Sequence, residues 1–188
     1  MLRLTTALLT GLWLAVVPQT PLVVRDLDGH AWSPLSPAAG EVNLVVFVGA
    51  TCPISARYSP EIDRILRDYG AKGVHAWLVY ADPQIAPAAV RANLKEFHPS
   101  ATVPAIIDTG FRLTAAVDVN VTPEVAIYTH SGRVYRGRID DVNDAIGQSR
   151  RAAAHHDLRD ALDAVLAGRP VPNPETKAIG CFIERTVK

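Results

Sequence analysis

The chain has 188 residues, 48% of them hydrophobic and 20% charged, which is enough for one globular domain with its own core. Nineteen Lys and Arg balance nineteen Asp and Glu, so there is no net field to attract nucleic acid or an anionic membrane surface. Two cysteines, Cys52 and Cys181, are the only thiols, and fourteen prolines crowd partly into the C-terminal tail.

The first residues, MLRLTTALLTGLWLAVVPQTP, carry one early charge, Arg3, and then an uncharged, largely apolar run from Leu4 to Val17. This pattern predicts a secretory signal over residues 1–20, with Ala15 and Val17 as the small residues before cleavage. The alternatives are an uncleaved membrane anchor and a buried N-terminal helix. Export places the protein in a periplasmic or other extracytoplasmic compartment, where a disulfide persists.

PLVVRDLDGHAWSPL reads as two short strands around the Asp28-Gly29 turn. Glu41 to Gly49 is apolar on both faces and predicts a central buried strand. Tyr58, Ile62, Ile65, Leu66 and Tyr69 recur at helical spacing, with Pro60 expected to bend that helix. GVHAWLVYADP predicts another buried strand, and PAAVRANLKEF a helix with Pro87 near its start. VPAIIDT and FRLTAAVDV follow as a short strand and a short helix. EVAIYTHSGRVYRGRIDD predicts a hairpin turning at Ser131-Gly132. HHDLRDALDAVLAG predicts a last helix that stops at Gly168. Strands alternating with helices, then a hairpin, define an α/β fold with a mixed central sheet and helices on both faces. An N-terminal hairpin extends it. The domain spans residues 21–150, and residues 151–188 form a helix and a cysteine-bearing extended tail packed on it.

Cys52 stands where the buried strand ends and the first helix begins. The free N–H groups and partial positive charge of a helix N-terminus stabilise a thiolate and lower its pKa. Pro53 suits the first helical turn. The Ser55 hydroxyl is placed to donate to the sulfur or to cap the helix. A small cysteine buried under the sheet is the alternative.

ATCPIS followed by a helix, Pro60 eight residues after the cysteine, and the later VTPEVAIY together resemble the thioredoxin-like superfamily over about Pro21 to Asp141. The nearest resemblance is to exported redoxins of the peroxiredoxin-like and TlpA-like kind. It implies a thioredoxin-like fold and thiol-disulfide exchange. Cys52 takes the place of the first, nucleophilic cysteine of the family's C-x-x-C, and Ser55 that of the second. Pro123 matches the family's cis-proline beside the active sulfur, and the Thr122 backbone is then free to pair with an extended partner. Thr51 replaces the usual tryptophan, and Val45, Val46 and Phe47 replace a buried acid. A peroxiredoxin site requires a proline and a threonine where this chain has Val45 and Gly49, which argues against peroxidase activity.

The tail ends in an apolar knot, Ile179 to Ile183, of the kind that docks on a domain. Docked near Cys52 and Pro123, it makes Cys181 the resolving cysteine. A purely structural disulfide, two separate sulfurs, or sulfurs that bind a soft metal such as copper are the alternatives; no other cofactor is implied. His155 and His156 are adjacent, and His30, His75, His98 and His130 lie apart without ligand spacing. Arg136, Arg138, Asp140 and Asp141 read as solvated edge charge, or as a rim near Cys52 in which Arg138 and Asp140 orient the tail or a substrate. Glu124 is a candidate proton acceptor beside the sulfur. Tyr58 reads as core. The sequence thus predicts an exported thiol-disulfide oxidoreductase acting on protein thiols or disulfides. The alternative is a non-catalytic redoxin-fold module that binds a partner or copper.

Overall fold

The computed structural model describes residues 20–82, 84–100, 102–145 and 148–185. The expected leader over residues 1–20 lies almost wholly outside them. β1 (Val24–Arg25) pairs antiparallel with β2 (Ala31–Trp32). Gly29 takes φ +86 in their turn, where L side chains are strained. The Asp26 carboxylate ties the turn together by accepting from the Asp28 and His30 N–H groups and from Trp32 Nε1.

β3 (Val42–Val48) leads into α1 (Pro53–Gly70), which runs on through Pro60. β4 (Val74–Tyr80), α2 (Pro87–Phe97), β5 (Ala105–Ile107) and α3 (Arg112–Val117) follow. β6 (Val121–Thr122) and β7 (Glu124–Thr129) flank the cis Thr122–Pro123 peptide bond. β8 (Gly132–Gly137) completes the main sheet, whose order is β5-β4-β3-β7-β8. β3 pairs parallel with β4, β4 parallel with β5, and β7 antiparallel with both β3 and β8, so the sheet is mixed as predicted. The hairpin turns at His130 and Ser131, with Gly132 already paired to Thr129, one residue earlier than the sequence suggests. A small ladder of β9 (Asn143–Ala145) and β10 (Gln148–Ser149) precedes α4 (Asp157–Leu166). β11 (Cys181–Phe182) closes the chain by pairing with β6. Among the described residues no helix is long and apolar enough to cross a membrane.

Strand alternation divides the core into two layers. Leu44, Val46, Leu78, Val125 and Ile127 face Ile62, Ile65, Val90, Leu158 and Leu162 on the helical side of α1, α2 and α4. Val45, Phe47, Trp77, Val79 and Ala126 face Leu113 and Val117 of α3, with Trp32 of the N-terminal hairpin against them. β3 is therefore buried on both faces, which is why its sequence is nearly all valine and leucine rather than alternating. Ile62 is 2% exposed between α1 and the sheet. Ile62→Ala is expected to lower unfolding free energy by about 2–5 kcal/mol, read from urea midpoints at unchanged m-value.

Asp140 and Asp141 are buried, which overturns the reading of them as solvated edge charge. Asp140 accepts from Tyr58 Oη at 2.6 Å and from the Val142 N–H, so Tyr58 is core with a satisfied hydroxyl. The Asp141 carboxylate accepts from the Ala154 and His155 N–H groups and pairs with Arg150, pinning the approach to α4. The His155 N–H, foremost, holds its pKa below the usual 3.8. Because the folded value lies below the unfolded one, this stabilisation is present above about pH 4 and disappears as pH falls through the lower folded value. Asp141→Asn is expected to be less stable than the parent at neutral pH and to lose less stability on acidification, as measured by urea unfolding across the acid range.

Candidate functional site

β3 delivers the chain to Gly49, Ala50, Thr51 and Cys52 at one edge of the sheet. The turn is closed by the Cys52 N–H donating to Gly49 O, and Cys52 O accepts the first helical bond from Ala56 N. A Cβ at Gly49 would stand 2.8 Å from Thr122 Oγ1 and 2.9 Å from Cys52 Cβ, so the close approach of β3 to the Thr122 loop admits only glycine. Behind this turn, Tyr80 Oη donates to Asn93 Oδ1, and Asn93 Nδ2 donates to Ala50 O at 3.2 Å. Nothing in the sequence pattern marks Tyr80 and Asn93 as supports of the site, since one ends a strand and the other lies in mid-helix.

Cys52 is itself the N-cap of α1. Its backbone is extended, and its sulfur accepts from the Ser55 N–H at 3.4 Å. The cap is thus made with the Ser55 N–H, while Ser55 Oγ accepts from the Gly49 N–H at 3.1 Å and so braces the turn. The Thr122 carbonyl oxygen stands 3.2 Å from Cys52 Sγ across the cis-proline corner. Pro53 occupies the first helical turn, and Thr51 is exposed beside the sulfur.

Cys52 and Cys181 are joined in a disulfide across 129 residues, with their Cα atoms 6.0 Å apart. The tail reaches this point in two steps. It first lies along β8: Arg136 N–H donates to Pro174 O, Thr176 N–H donates to Arg136 O, and Thr176 Oγ1 meets Tyr135 Oη at 2.8 Å. It then crosses to β6, where Cys181 pairs with Thr122 and Phe182 with Val121. Ile183 N–H donates to Asn120 O, and the Arg185 guanidinium donates to Val119 O and Asn120 Oδ1. Gly180 lies so close to Thr122 that a Cβ would collide with its carbonyl group. The tail thus takes the strand position beside Thr122.

The Arg136 side chain addresses the tail, whereas Arg138 meets it only through its backbone N–H, which donates to Thr176 Oγ1 at 3.1 Å. Arg136 pairs with Asp118 at 2.7 Å, with Glu175 of the tail at 3.5 Å and with Glu124 at 3.9 Å. Glu124 is buried and accepts from Asn120 N–H, so it supports the loop that receives the tail and does not line the space beside the sulfurs. Burial, partly offset by these partners, holds its carboxyl above the usual carboxylate range. The Arg138 side chain instead pairs with Asp157 of α4, and Asp140 with Tyr58. Among the described residues no group of three or more His, Cys, Asp or Glu side chains is placed to hold a metal ion.

Beside the disulfide runs an open groove of about 440 Å³, lined among others by Thr51, Asp82, Gln84, Thr122, Phe182 and Glu184. Cys52 and Cys181 both border it, but Cys52 is buried at 5% exposure whereas Cys181 is half-buried. Phe182, the neighbour of Cys181, is 76% exposed.

No protein-family model and no curated protein matches the sequence. Solved structures do. An uncharacterized conserved protein from Geobacillus kaustophilus is similar with a TM-score of 0.74 and 25% identity, covering 90% of each chain. A hypothetical protein from Sinorhizobium meliloti is similar with a TM-score of 0.72 and 26% identity, covering 90% of this chain and 93% of its own. A secreted Mycobacterium tuberculosis disulfide oxidoreductase homologous to E. coli DsbE gives a TM-score of 0.54 at 15% identity, covering 77% and 95%. The chain has the thioredoxin-like fold, with disulfide oxidoreductases among its structural neighbours.

Proposed function

We propose that the protein is a thiol-disulfide oxidoreductase that works outside the cytoplasm, with Cys52 and Cys181 as its redox couple and protein thiols or disulfides as its substrates. The observation that carries this reading is the placement of the Cys52 sulfur on the N-terminus of α1, where it accepts the Ser55 N–H. A helix N-terminus stabilises the thiolate left when the bond opens, and this raises the reduction potential and makes the disulfide exchangeable. Thr51, Pro53 and Thr122 frame the sulfur, and the cis Thr122–Pro123 bond stands beside it where the resemblance places the fold's cis-proline. The fold shared with the secreted M. tuberculosis disulfide oxidoreductase supports the same chemistry. The apolar leader supports export, with or without a membrane tether. Peroxidase chemistry fits poorly, because the place of a peroxiredoxin threonine is Gly49, where a side chain meets Thr122 and Cys52.

A second reading, a structural staple, is favoured by the tail's own hydrogen bonds to Arg136 and Asn120. A glutathione redox titration of the purified protein separates the two. A couple between about −120 and −270 mV is expected for an exchange enzyme, and one below about −300 mV would make the bond structural. Cu(I) uptake only after reduction would favour the binding-module alternative.

A further inference from the structure

The oxidised protein presents its two sulfurs unequally, and this bears on which of them a partner attacks. The strand position beside Thr122 is filled by the tail, so no partner strand lies there while the bond is intact. Cys52 Sγ is enclosed by the first turn of α1 and by the Thr122 carbonyl oxygen at 3.2 Å, which repels an approaching anion. Cys181 is half-buried, borders the open groove and lies on a two-residue strand, whereas the α1 N–H of Ser55 is donated to Cys52 Sγ. Thiol-disulfide exchange is faster at the more accessible sulfur and when the leaving thiolate is the more stable one. Both criteria select the same sulfur.

We propose that partners exchange on Cys181 and that Cys52 is the leaving thiolate, the reverse of the order in which the first cysteine of a C-x-x-C carries the partner. This rests on the exchange reading above. The partner thiolate attacks Cys181 Sγ; a new S–S bond forms between partner and tail, and the Cys52–Cys181 bond breaks. The electron pair stays on Cys52 Sγ beside the Ser55 N–H. A second thiol of a dithiol partner, or a second monothiol molecule, then loses its proton and attacks the partner's own sulfur in the mixed disulfide. This expels Cys181 as a thiolate, which takes up a proton. The partner leaves as a disulfide, and the protein has gained two electrons. In the opposite direction Cys52 is the resolving thiolate, attacking Cys181 Sγ to expel the partner.

The test uses the oxidised full-length chain and excess 2-mercaptoethanol as the probe monothiol. The reaction is quenched with acid at the earliest accessible times, digested with pepsin at low pH and mapped by mass. The expected result is the mercaptoethanol adduct on the Cys181 peptide with Cys52 as free thiol, in excess over the reverse on the order of tenfold. An early adduct mainly on Cys52, or equal adducts, overturns the assignment and leaves the exchange function standing. An intact disulfide with no adduct overturns both, and a redox titration giving a couple below the exchange range reports that second failure independently.

Discussion

Cys181→Ser is expected to lower the unfolding free energy by as much as about 5 kcal/mol and to abolish disulfide exchange. The bond closes a loop across 129 residues, and chain entropy makes a long closure the more stabilising one. The variant also loses the covalent link that keeps β11 on β6, which leaves the two-residue pairing with β6 and the Ile183 and Arg185 bonds to Val119 and Asn120 to hold it. Urea unfolding of the variant, of the oxidised parent and of the parent kept reduced measures the effect. The variant and the reduced parent are expected to coincide. A variant within about 1 kcal/mol of the oxidised parent would show that the disulfide adds little constraint, because the unfolded chain is already compact or the tail holds without it.

Gly180→Val is expected to make the disulfide easier to open without touching either sulfur. A Cβ at this position meets the carbonyl carbon and oxygen of Thr122, which are backbone atoms that no rotamer change can move aside. The tail strand has to lift from β6, at about 1–3 kcal/mol by analogy with overpacked cores. This falls on the oxidised state and raises the reduction potential by roughly 20–65 mV, since about 30 mV corresponds to 1.4 kcal/mol for a two-electron couple. Gly70→Ala, where no atom stands within 4 Å, is the control and leaves the potential unchanged. An unaltered potential in Gly180→Val would mean that the strand pairing seen at Thr122 contributes nothing to closing the bond.

The main sheet and its helices are readable in the sequence because burial imposes period and run length. The valine-rich β3, the helical spacing of Ile62, Ile65, Leu66 and Tyr69, and the apolar face of α4 each have one physical interpretation. The strand-to-helix corner likewise gave Cys52 its place. What the sequence left open lies in contacts between distant segments. The pairing of β11 with β6 involves two residues on each side, too few to set a pattern. The sequence draws attention to the Ser55 hydroxyl, but the cap is made by its backbone N–H, which every residue but proline carries. Asp140 and Asp141 looked exposed because carboxylates usually are; burial is tolerated here because Tyr58 and the backbone N–H groups of Val142, Ala154 and His155 satisfy them. Arg136 and Glu124 differ from ordinary edge charges only through Asp118, Asn120 and Glu175, which no spacing rule links to them.

The fastening of the tail at Arg136 has a consequence for the reduced protein. The Pro174 and Thr176 bonds to β8 do not depend on the disulfide, so when the bond opens and the strand lifts from β6 it is a short arm that moves rather than the whole tail. From Thr176 to Cys181 there are five residue steps, which limits the arm's reach to roughly 17 Å. A thiol confined to so small a volume meets Cys52 at an effective concentration on the order of millimolar. Ring closure returns the sulfur to its place beside Thr122 on β6.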